Sequence, residues 1–187
     1  MQFHFEKFNR YVEITGYRNI AFEKVEEFLK ANRKQTLKEV DIQFFEADLV
    51  ATEQHLYFAV LNALQAFQDK TNISKSLAME TMLYASAQRQ IQKSINLIGI
   101  KPETKNMAIT IIGKKPEQIQ GLLQDLSMCV GSQTDQTTLQ ITNDKKEQIL
   151  KVFKITNAEI ETLTDCDLED AIVDLIVERV ALLATQL

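Results

Sequence analysis

The sequence predicts an α/β fold of the α+β type, a single compact domain in which several helices pack a small mixed sheet. Three observations predict it. Short runs of strand length, alternating or wholly apolar, are separated by longer segments with helical periodicity. Consecutive helical segments lie between the second and third strands, so strict βαβ alternation is absent. The chain has 187 residues but only 5 Gly and 2 Pro, which is typical of one domain with short loops.

The first part of the chain is predicted to contain two strands with a helix between them. Residues 1–10 are expected to fray as an extension of a domain that spans residues 1–187. Residues 11–17 alternate apolar and polar side chains, and residues 42–47 are rich in β-branched and aromatic side chains, so both predict strands. The intervening helix is indicated by Phe22, Val25 and Leu29.

Three helices are predicted next. Asp48 or Thr52 caps the first, because each side chain can accept a hydrogen bond from a first-turn N–H. The buried stripe of this helix is formed by Leu56, Val60, Ala63, Leu64 and Phe67. Ser74 or Ser76 begins the second helix. Gly99 is expected to end the third, as the residue after its C-cap. The inward side chains of that helix are predicted to be Ile91, Ile95 and Ile98.

The remaining sequence predicts one central strand and a helical C-terminal half. Residues 107–112 are apolar apart from Thr110, which indicates a strand buried on both faces. Pro116 suits the first turn of the following helix, and residues 131–137 form a polar loop. Residues 138–142 predict another strand. Three further helices, the last running almost to the C-terminus, are predicted after the caps Asp144, Thr156 and Asp167.

The amino-acid composition argues against several classes of function. The net charge of −5 argues against a broad, sequence-independent nucleic-acid surface, although it allows a local basic patch. Cys129 and Cys166 lie in no ligand-like spacing and are expected to be buried, inert thiols in a reducing compartment. The N-terminus lacks an apolar signal segment, and no uncharged apolar stretch reaches about 18 residues. A cytoplasmic protein without a membrane span is therefore expected.

The motifs of common enzyme classes are missing from the sequence. It contains no Gly-rich phosphate loop, no metal-binding H-E-x-x-H, no C-x-x-C and no G-x-S-x-G. Only His4 and His55 could act as imidazole bases. We therefore predict no catalytic residue, cofactor or metal, with an enzyme of unfamiliar type as the alternative. The acidic residues at the start of the last helix are interpreted as favourable charges at a helix N-terminus: Asp165, Asp167, Glu169 and Asp170.

Two helix faces suggest docking. Arg89, Lys93 and Asn96 have i, i+4, i+7 spacing, and Gln88 and Gln92 flank them. This pattern is typical of a solvated polar face, but Arg and Gln can also contact phosphates and base edges. The last helix is apolar over more than the ~100° stripe that a surface helix needs. It is either deeply buried or covered by a partner. The candidate partner contacts are Ile172, Ile176, Val180, Leu183 and Leu187.

Four runs of sequence carry a family resemblance: ADLVATEQH at residues 47–55, SLAME at 76–80, ASAQRQI at 85–91 and IG at 98–99. In their order and spacing they resemble the kinase-binding subunit of the KEOPS complex, and most closely its archaeal members. The resemblance is best over residues 42–113 and resumes more loosely from residue 141. Ala87 stands where this family commonly has Gly, so a local departure in backbone geometry is expected there.

The resemblance implies a function. The complex makes the threonylcarbamoyl modification on adenosine in transfer RNA, and this subunit is not its catalyst. It binds a small atypical kinase of the Bud type, which acts as an ATPase, and the single-stranded 3′ CCA end of transfer RNA. The kinase contact maps onto the last helix. The RNA contact maps onto Ser86, Gln88, Arg89, Gln90, Lys93, Ile98 and Gly99, with His55 as an added stacking or hydrogen-bonding residue. A purely structural adaptor without RNA affinity is the alternative.

Overall fold

A four-stranded sheet organises the chain in the computed structural model, which describes residues 1–32, 40–163 and 167–185. The strand order is β1-β2-β4-β3, and every neighbouring pair is antiparallel. The α+β prediction is confirmed, but the described strands form an antiparallel sheet and not a mixed one. The strands are β1 (Gln2–Phe5), β2 (Arg10–Tyr17), β3 (Val40–Glu46) and β4 (Met107–Gly113).

Helices cover both faces of this sheet. They are α1 (Phe22–Asn32), α2 (Glu53–Asp69), α3 (Leu77–Ala85), α4 (Ile91–Ile98), α5 (Pro116–Val130), α6 (Asn143–Phe153), α7 (Asn157–Glu161) and α8 (Leu168–Leu182). Helices α1 and α5 share one apolar core, and helices α2, α3, α6 and α8 share the other. No helix in the described ranges is long and apolar enough to cross a membrane.

The central strand β4 joins the two cores. Its seven residues are all buried, as its sequence, apolar apart from Thr110, predicts. Because successive side chains of a strand point to opposite faces, Ile109 and Ile111 contact the core of α1 and α5, whereas Ala108 and Ile112 contact the other core. The strand therefore needs apolar residues at both alternating sets of positions.

The first ten residues are ordered, with β1 in the sheet and a 3-10 turn at Glu6–Phe8 before β2, so the prediction that they fray is wrong. Strand β1 pairs with β2, and the N-terminal ammonium of Met1 lies 2.6 Å from the Glu13 carboxylate. His4 stacks on Tyr11 with ring centroids 4.2 Å apart. The sequence signal was weak because β1 has only four residues and is largely exposed. Its stability comes from pairing with a neighbouring strand.

The predicted strand at residues 138–142 is also wrong. A 3-10 turn occupies Gln136–Leu139, and α6 follows after Thr142. The carbonyls of Thr138 and Gln140 accept hydrogen bonds from the buried Lys145 ammonium at 3.0 and 3.2 Å, and not from a neighbouring strand. The β-branched composition of this stretch was therefore misleading.

Some of the predicted helix N-caps are confirmed, and others are wrong. Thr156 forms the predicted capping box with Glu159, and the Asp167 carboxylate accepts from two first-turn N–H groups of α8. Helix α6 begins two residues earlier than predicted, because Thr142 and not Asp144 is its N-cap. Cys129 is half-buried, and its thiol lies 3.3 Å from the Lys24 carbonyl. Asp165, Cys166 and Leu187 lie outside the described residues.

Candidate functional site

Residues 85–91 form the junction between α3 and α4, not one face of a single helix. Helix α3 ends at Ala85, and α4 begins after its N-cap Gln90. Arg89 therefore precedes α4, and its predicted helical spacing to Lys93 is wrong, although both side chains are exposed. Ile91 is 43% exposed and does not face inward as predicted.

A tight backbone turn begins this junction. Ala87 has φ of +51°, in the left-handed region. Its N–H donates to the Tyr84 carbonyl at 2.9 Å, and the Gln88 N–H donates to the Leu83 carbonyl at 3.0 Å. These two bonds complete a Schellman motif, in which the left-handed position is usually Gly. Ala87 thus adopts the left-handed geometry that Gly favours.

Two serine hydroxyl groups connect the turn to α4 through a hydrogen bond. Ser86 is 1% exposed, and its hydroxyl donates to the Ser94 hydroxyl at 2.7 Å. The Ser94 hydroxyl donates in turn to the Met82 carbonyl of α3 at 2.8 Å. Both hydroxyl groups form their hydrogen bonds inside the protein, so Ser86 was wrongly assigned to an RNA-contacting surface. It is a positioning residue for the exposed part of the junction.

Ile98 and Gly99 are also internal. Ile98 is fully buried in the core shared by α2, α3, α6 and α8. Gly99 has φ of −72°, so it is not the left-handed residue that the sequence suggested. A Cβ at this position would lie 2.5 Å from the Ile95 carbonyl oxygen, which explains why only Gly fits. These two residues are buried beneath the junction, so they offer no surface to RNA.

His55 supports the same junction from α2. It is fully buried, and its Nε2 lies 2.7 Å from the Ala85 carbonyl. The Ala51 N–H donates to Nδ1 at 3.3 Å, which requires the neutral ring with its proton on Nε2. The Thr52 hydroxyl, at the predicted N-cap, accepts no bond from the first turn of α2. His55 is therefore neither a stacking residue for RNA nor a plain surface histidine.

Burial sets the protonation state of this imidazole. It lowers the pKa of His55 from 6.5 to about 4, although the hydrogen bond to Ala85 opposes the change and the nearby Lys145 charge adds to it. The ring also contacts Phe153 of α6 edge-to-face, with centroids 5.5 Å apart. A neutral His55 thus joins the ends of α3 and α6.

A pocket of about 240 Å³ opens where these two helix ends meet α8. One wall is the turn of Ser86, Ala87 and Gln88. The other walls come from the end of α6 and from the last turns of α8: Val152, Phe153, Lys154, Arg179 and Leu182. The structure therefore brings the junction and the C-terminal helix, which the sequence suggested as two separate docking surfaces, to one pocket.

The predicted partner face of α8 lies inside the protein. Ile172, Ile176 and Val180 are fully buried, and Leu183 is 1% exposed. All four belong to the core that α8 shares with α2. The excess of apolar residues on this helix thus reflects deep burial, the other interpretation of the pattern. Its exposed face carries Asp174, Glu178 and Ala181, and Thr185 continues this face in the 3-10 turn that follows α8.

Comparison with known proteins identifies the family. Residues 17–184 match the model of the family described as kinase binding protein CGI-121. The chain belongs to the CGI-121 family. It is also similar to the regulatory protein Cgi121 of Methanocaldococcus jannaschii, with 34% identity over 113 residues that cover 60% of this chain and 70% of the relative. The family resemblance noted in the sequence is thereby confirmed.

Four of the eight predicted RNA contacts remain at the surface of this CGI-121 protein. They are Gln88, which is half-buried, and the exposed Arg89, Gln90 and Lys93. Sequence reasoning missed Lys154 and Arg179, which lie far along the chain from this junction. A Lys at the C-terminal end of a helix is common, so Lys154 carried no distinctive signal. In the described ranges, no group of three or more His, Cys, Asp or Glu side chains could hold a metal ion.

Ala87→Gly is expected to stabilise this CGI-121 protein by about 1 kcal/mol, because Gly removes the steric cost of the left-handed conformation. Part of this gain is offset by the greater freedom of Gly in the unfolded chain. Urea unfolding of both proteins measures the difference. Ala78→Gly inside α3 is the matched control and is expected to destabilise by a similar amount. Equal losses for both variants would contradict a left-handed Ala87.

Proposed function

We propose that this chain is a non-catalytic subunit of the KEOPS complex, which makes threonylcarbamoyladenosine in transfer RNA. It binds the small kinase that acts as an ATPase and recruits transfer RNA by its single-stranded 3′ CCA end. Membership of a family described as kinase binding carries the first half of this proposal. The second half rests on the exposed junction, where Gln88, Arg89, Gln90 and Lys93 surround a rigid turn.

The proposed RNA contact is small and suits a single strand. Unpaired bases can be contacted on their edges by amide side chains and on their phosphates by Arg and Lys. Few phosphates need to be neutralised, so the net charge of −5 is compatible with binding. Hydrogen bonds of Ser86, Ser94 and His55 order the backbone of the turn before RNA binds, which lowers the entropic cost of binding.

Arg89→Glu is expected to weaken binding of transfer RNA by roughly tenfold or more, because it replaces a phosphate-binding cation by an anion. A gel shift with intact and CCA-trimmed transfer RNA measures this, and trimming is expected to weaken binding of the unaltered chain as strongly. Lys30→Glu is the control, because Lys30 lies on α1 across the sheet. If neither Arg89→Glu nor trimming changes the affinity, the purely structural adaptor is the better function.

We assign the proposed kinase contact to the exposed face of α8, and not to its buried apolar face. Its buried side chains cannot reach a partner without unfolding the domain. The face formed by Asp174, Glu178, Ala181 and Thr185 is exposed along most of the helix. We therefore assign the kinase contact to this acidic strip, in place of the four buried apolar residues.

A further inference from the structure

We propose that the polar pocket at the start of α6 binds a small oxyanion, the carboxylate or phosphate group of a small molecule, as the counter-ion of the buried Lys145 ammonium. The pocket has a volume of about 390 Å³ and lies at the opposite end of α6 from the pocket beside the α3–α4 junction. None of its lining residues belongs to that junction or to the exposed strip of α8. This site is therefore separate from the proposed RNA and kinase contacts.

Lys145 is a buried cation without a carboxylate partner. Only 5% of the residue is exposed, although it lies in the first turn of α6 and lines the pocket. Its ammonium forms no ion pair with any residue in the ranges 1–32, 40–163 and 167–185. Buried charges in proteins are normally paired, because removing a charge from water is costly. An anion bound in the pocket supplies the counter-charge that these residues do not.

The hydrogen bonds of this ammonium leave one donor for a ligand. An ammonium group has three N–H donors. Two carbonyls accept from Lys145 Nζ, those of Thr138 at 3.0 Å and Gln140 at 3.2 Å, and both residues line the same pocket. The third N–H has no acceptor in the part of the chain that the structure describes. It is therefore available for a charge-assisted hydrogen bond to an oxygen atom of the anion.

Burial also makes the charge of Lys145 sensitive to pH. It lowers the pKa of the ammonium from 10.5 to about 8, while the Asp48 charge opposes this change and the Arg18 charge adds to it. A bound anion favours the charged form, so the ammonium and the anion stabilise each other. The affinity for an anion is therefore expected to be highest below pH 8, where Lys145 is protonated before the ligand binds, and to fall above that pH.

The other charged groups limit the kind of anion that fits. Arg18 and Asp144 are exposed and line the pocket, and Arg18 Nε donates to the Asp135 carboxylate at 2.7 Å, which balances much of its charge. Asp48 is half-buried in the same lining. These carboxylates repel a polyanion, whereas one small anionic group can approach Lys145. The volume lies near the lower end of the ~300–1,000 Å³ that is typical of small-molecule pockets.

Threonine methyl NMR of the full chain tests the site, because Thr137, Thr138 and Thr142 line the pocket. The probes are sulfate, acetate and acetamide, which has nearly the shape of acetate but no charge. Sulfate and acetate are expected to shift these methyl signals to saturation, whereas acetamide at the same concentration is not. The anion that binds more tightly gives the ligand class, since sulfate resembles a phosphate group and acetate is a carboxylate.

Sulfate does not titrate between pH 7 and pH 9, so its affinity reports the charge of the protein. This affinity is expected to fall roughly tenfold over that range, because the protonated fraction of Lys145 falls from about nine-tenths to about one-tenth. Lys145→Met keeps an apolar stem without the charge. It is expected to bind sulfate at least roughly tenfold more weakly at pH 7 and to lose the pH dependence.

A second pair of variants tests the site while Lys145 is retained. Gln148 is exposed, lines the pocket and lies about one turn after Lys145 on α6. Gln148→Glu places a negative charge at the pocket and is expected to weaken sulfate binding at pH 7 roughly threefold. Gln120→Glu is the matched control, because it makes the same charge change at an exposed position of α5 that does not line the pocket. Its sulfate affinity should be unchanged.

Any of four results would overturn the site. Acetamide that shifts the same methyl signals as strongly as acetate would show a pocket that does not recognise charge. Equal sulfate affinities of Gln148→Glu and Gln120→Glu would place the anion elsewhere. A sulfate affinity that stays constant from pH 7 to pH 9, or the absence of a saturable shift at the three threonines, would show that Lys145 does not hold an anion. None of these results affects the outcome of the gel shift with transfer RNA.

Discussion

Val180→Glu is expected to unfold the protein. Val180 is fully buried in the core that joins α8 to α2, so a glutamate there must lose its hydration without a partner. The cost is expected to exceed about 4 kcal/mol, which is a large fraction of the ~5–15 kcal/mol that stabilises a typical domain. Thermal unfolding followed by circular dichroism, together with gel filtration, measures the loss of the native state.

Ala181→Glu is the matched control, one residue further along α8. Ala181 is exposed, so this variant is expected to keep its stability to within about 0.5 kcal/mol. If the kinase docks on the exposed strip of α8, Ala181→Glu should reduce co-purification with the kinase while the chain remains folded. A stable Val180→Glu protein would contradict the burial of α8, whereas undisturbed co-purification of Ala181→Glu would move the kinase contact to another surface.

Periodicity predicted most elements of this fold, because each of them satisfies its own local pattern. The apolar run of β4 and the capping box at Thr156 carry enough information within a few residues. The sequences of β1 and of residues 138–142 do not carry such local information. β1 is stabilised by pairing with β2. Residues 138–142 do not join a sheet, and the Thr138 carbonyl instead accepts a hydrogen bond from the Lys145 ammonium of α6. Both depend on contacts between parts of the chain that no local pattern reveals.

The site was harder to predict than the fold for the same reason. A helix that is apolar over most of its surface fits either burial or a partner, and only the packing of α8 against α2 distinguishes the two. His55 and Ser86 belong to runs that mark the family, but they hold the junction from inside. Lys154 and Arg179 join it only through the fold. The runs that mark the family thus include buried residues that shape the junction as well as its exposed residues.

Stability is expected to fall as the pH drops from 6.5 to 4, and His55 is the reason. The unfolded chain binds a proton at His55 near pH 6.5, whereas the folded chain resists it until about pH 4 because burial disfavours the charged ring. Between these values the unfolded state holds more protons, so acid favours unfolding. At ~1.36 kcal/mol per pH unit the loss from this residue is about 3 kcal/mol, and it is recovered as the pH rises through 6.5.

His55→Gln separates this loss from the titration of carboxylates, because glutamine does not titrate. At pH 7 the variant is expected to be less stable by about 2 kcal/mol, since it cannot reproduce both hydrogen bonds of the ring. Urea unfolding at several pH values should show this gap closing toward pH 4, as the native His55 loses its advantage. Lys145 stays protonated throughout this range and does not contribute, because its pKa is lowered only to about 8. A gap that is independent of pH would mean that the ring is protonated as easily in the folded chain as in the unfolded one, and the neutral clamp between α3 and α6 would not exist.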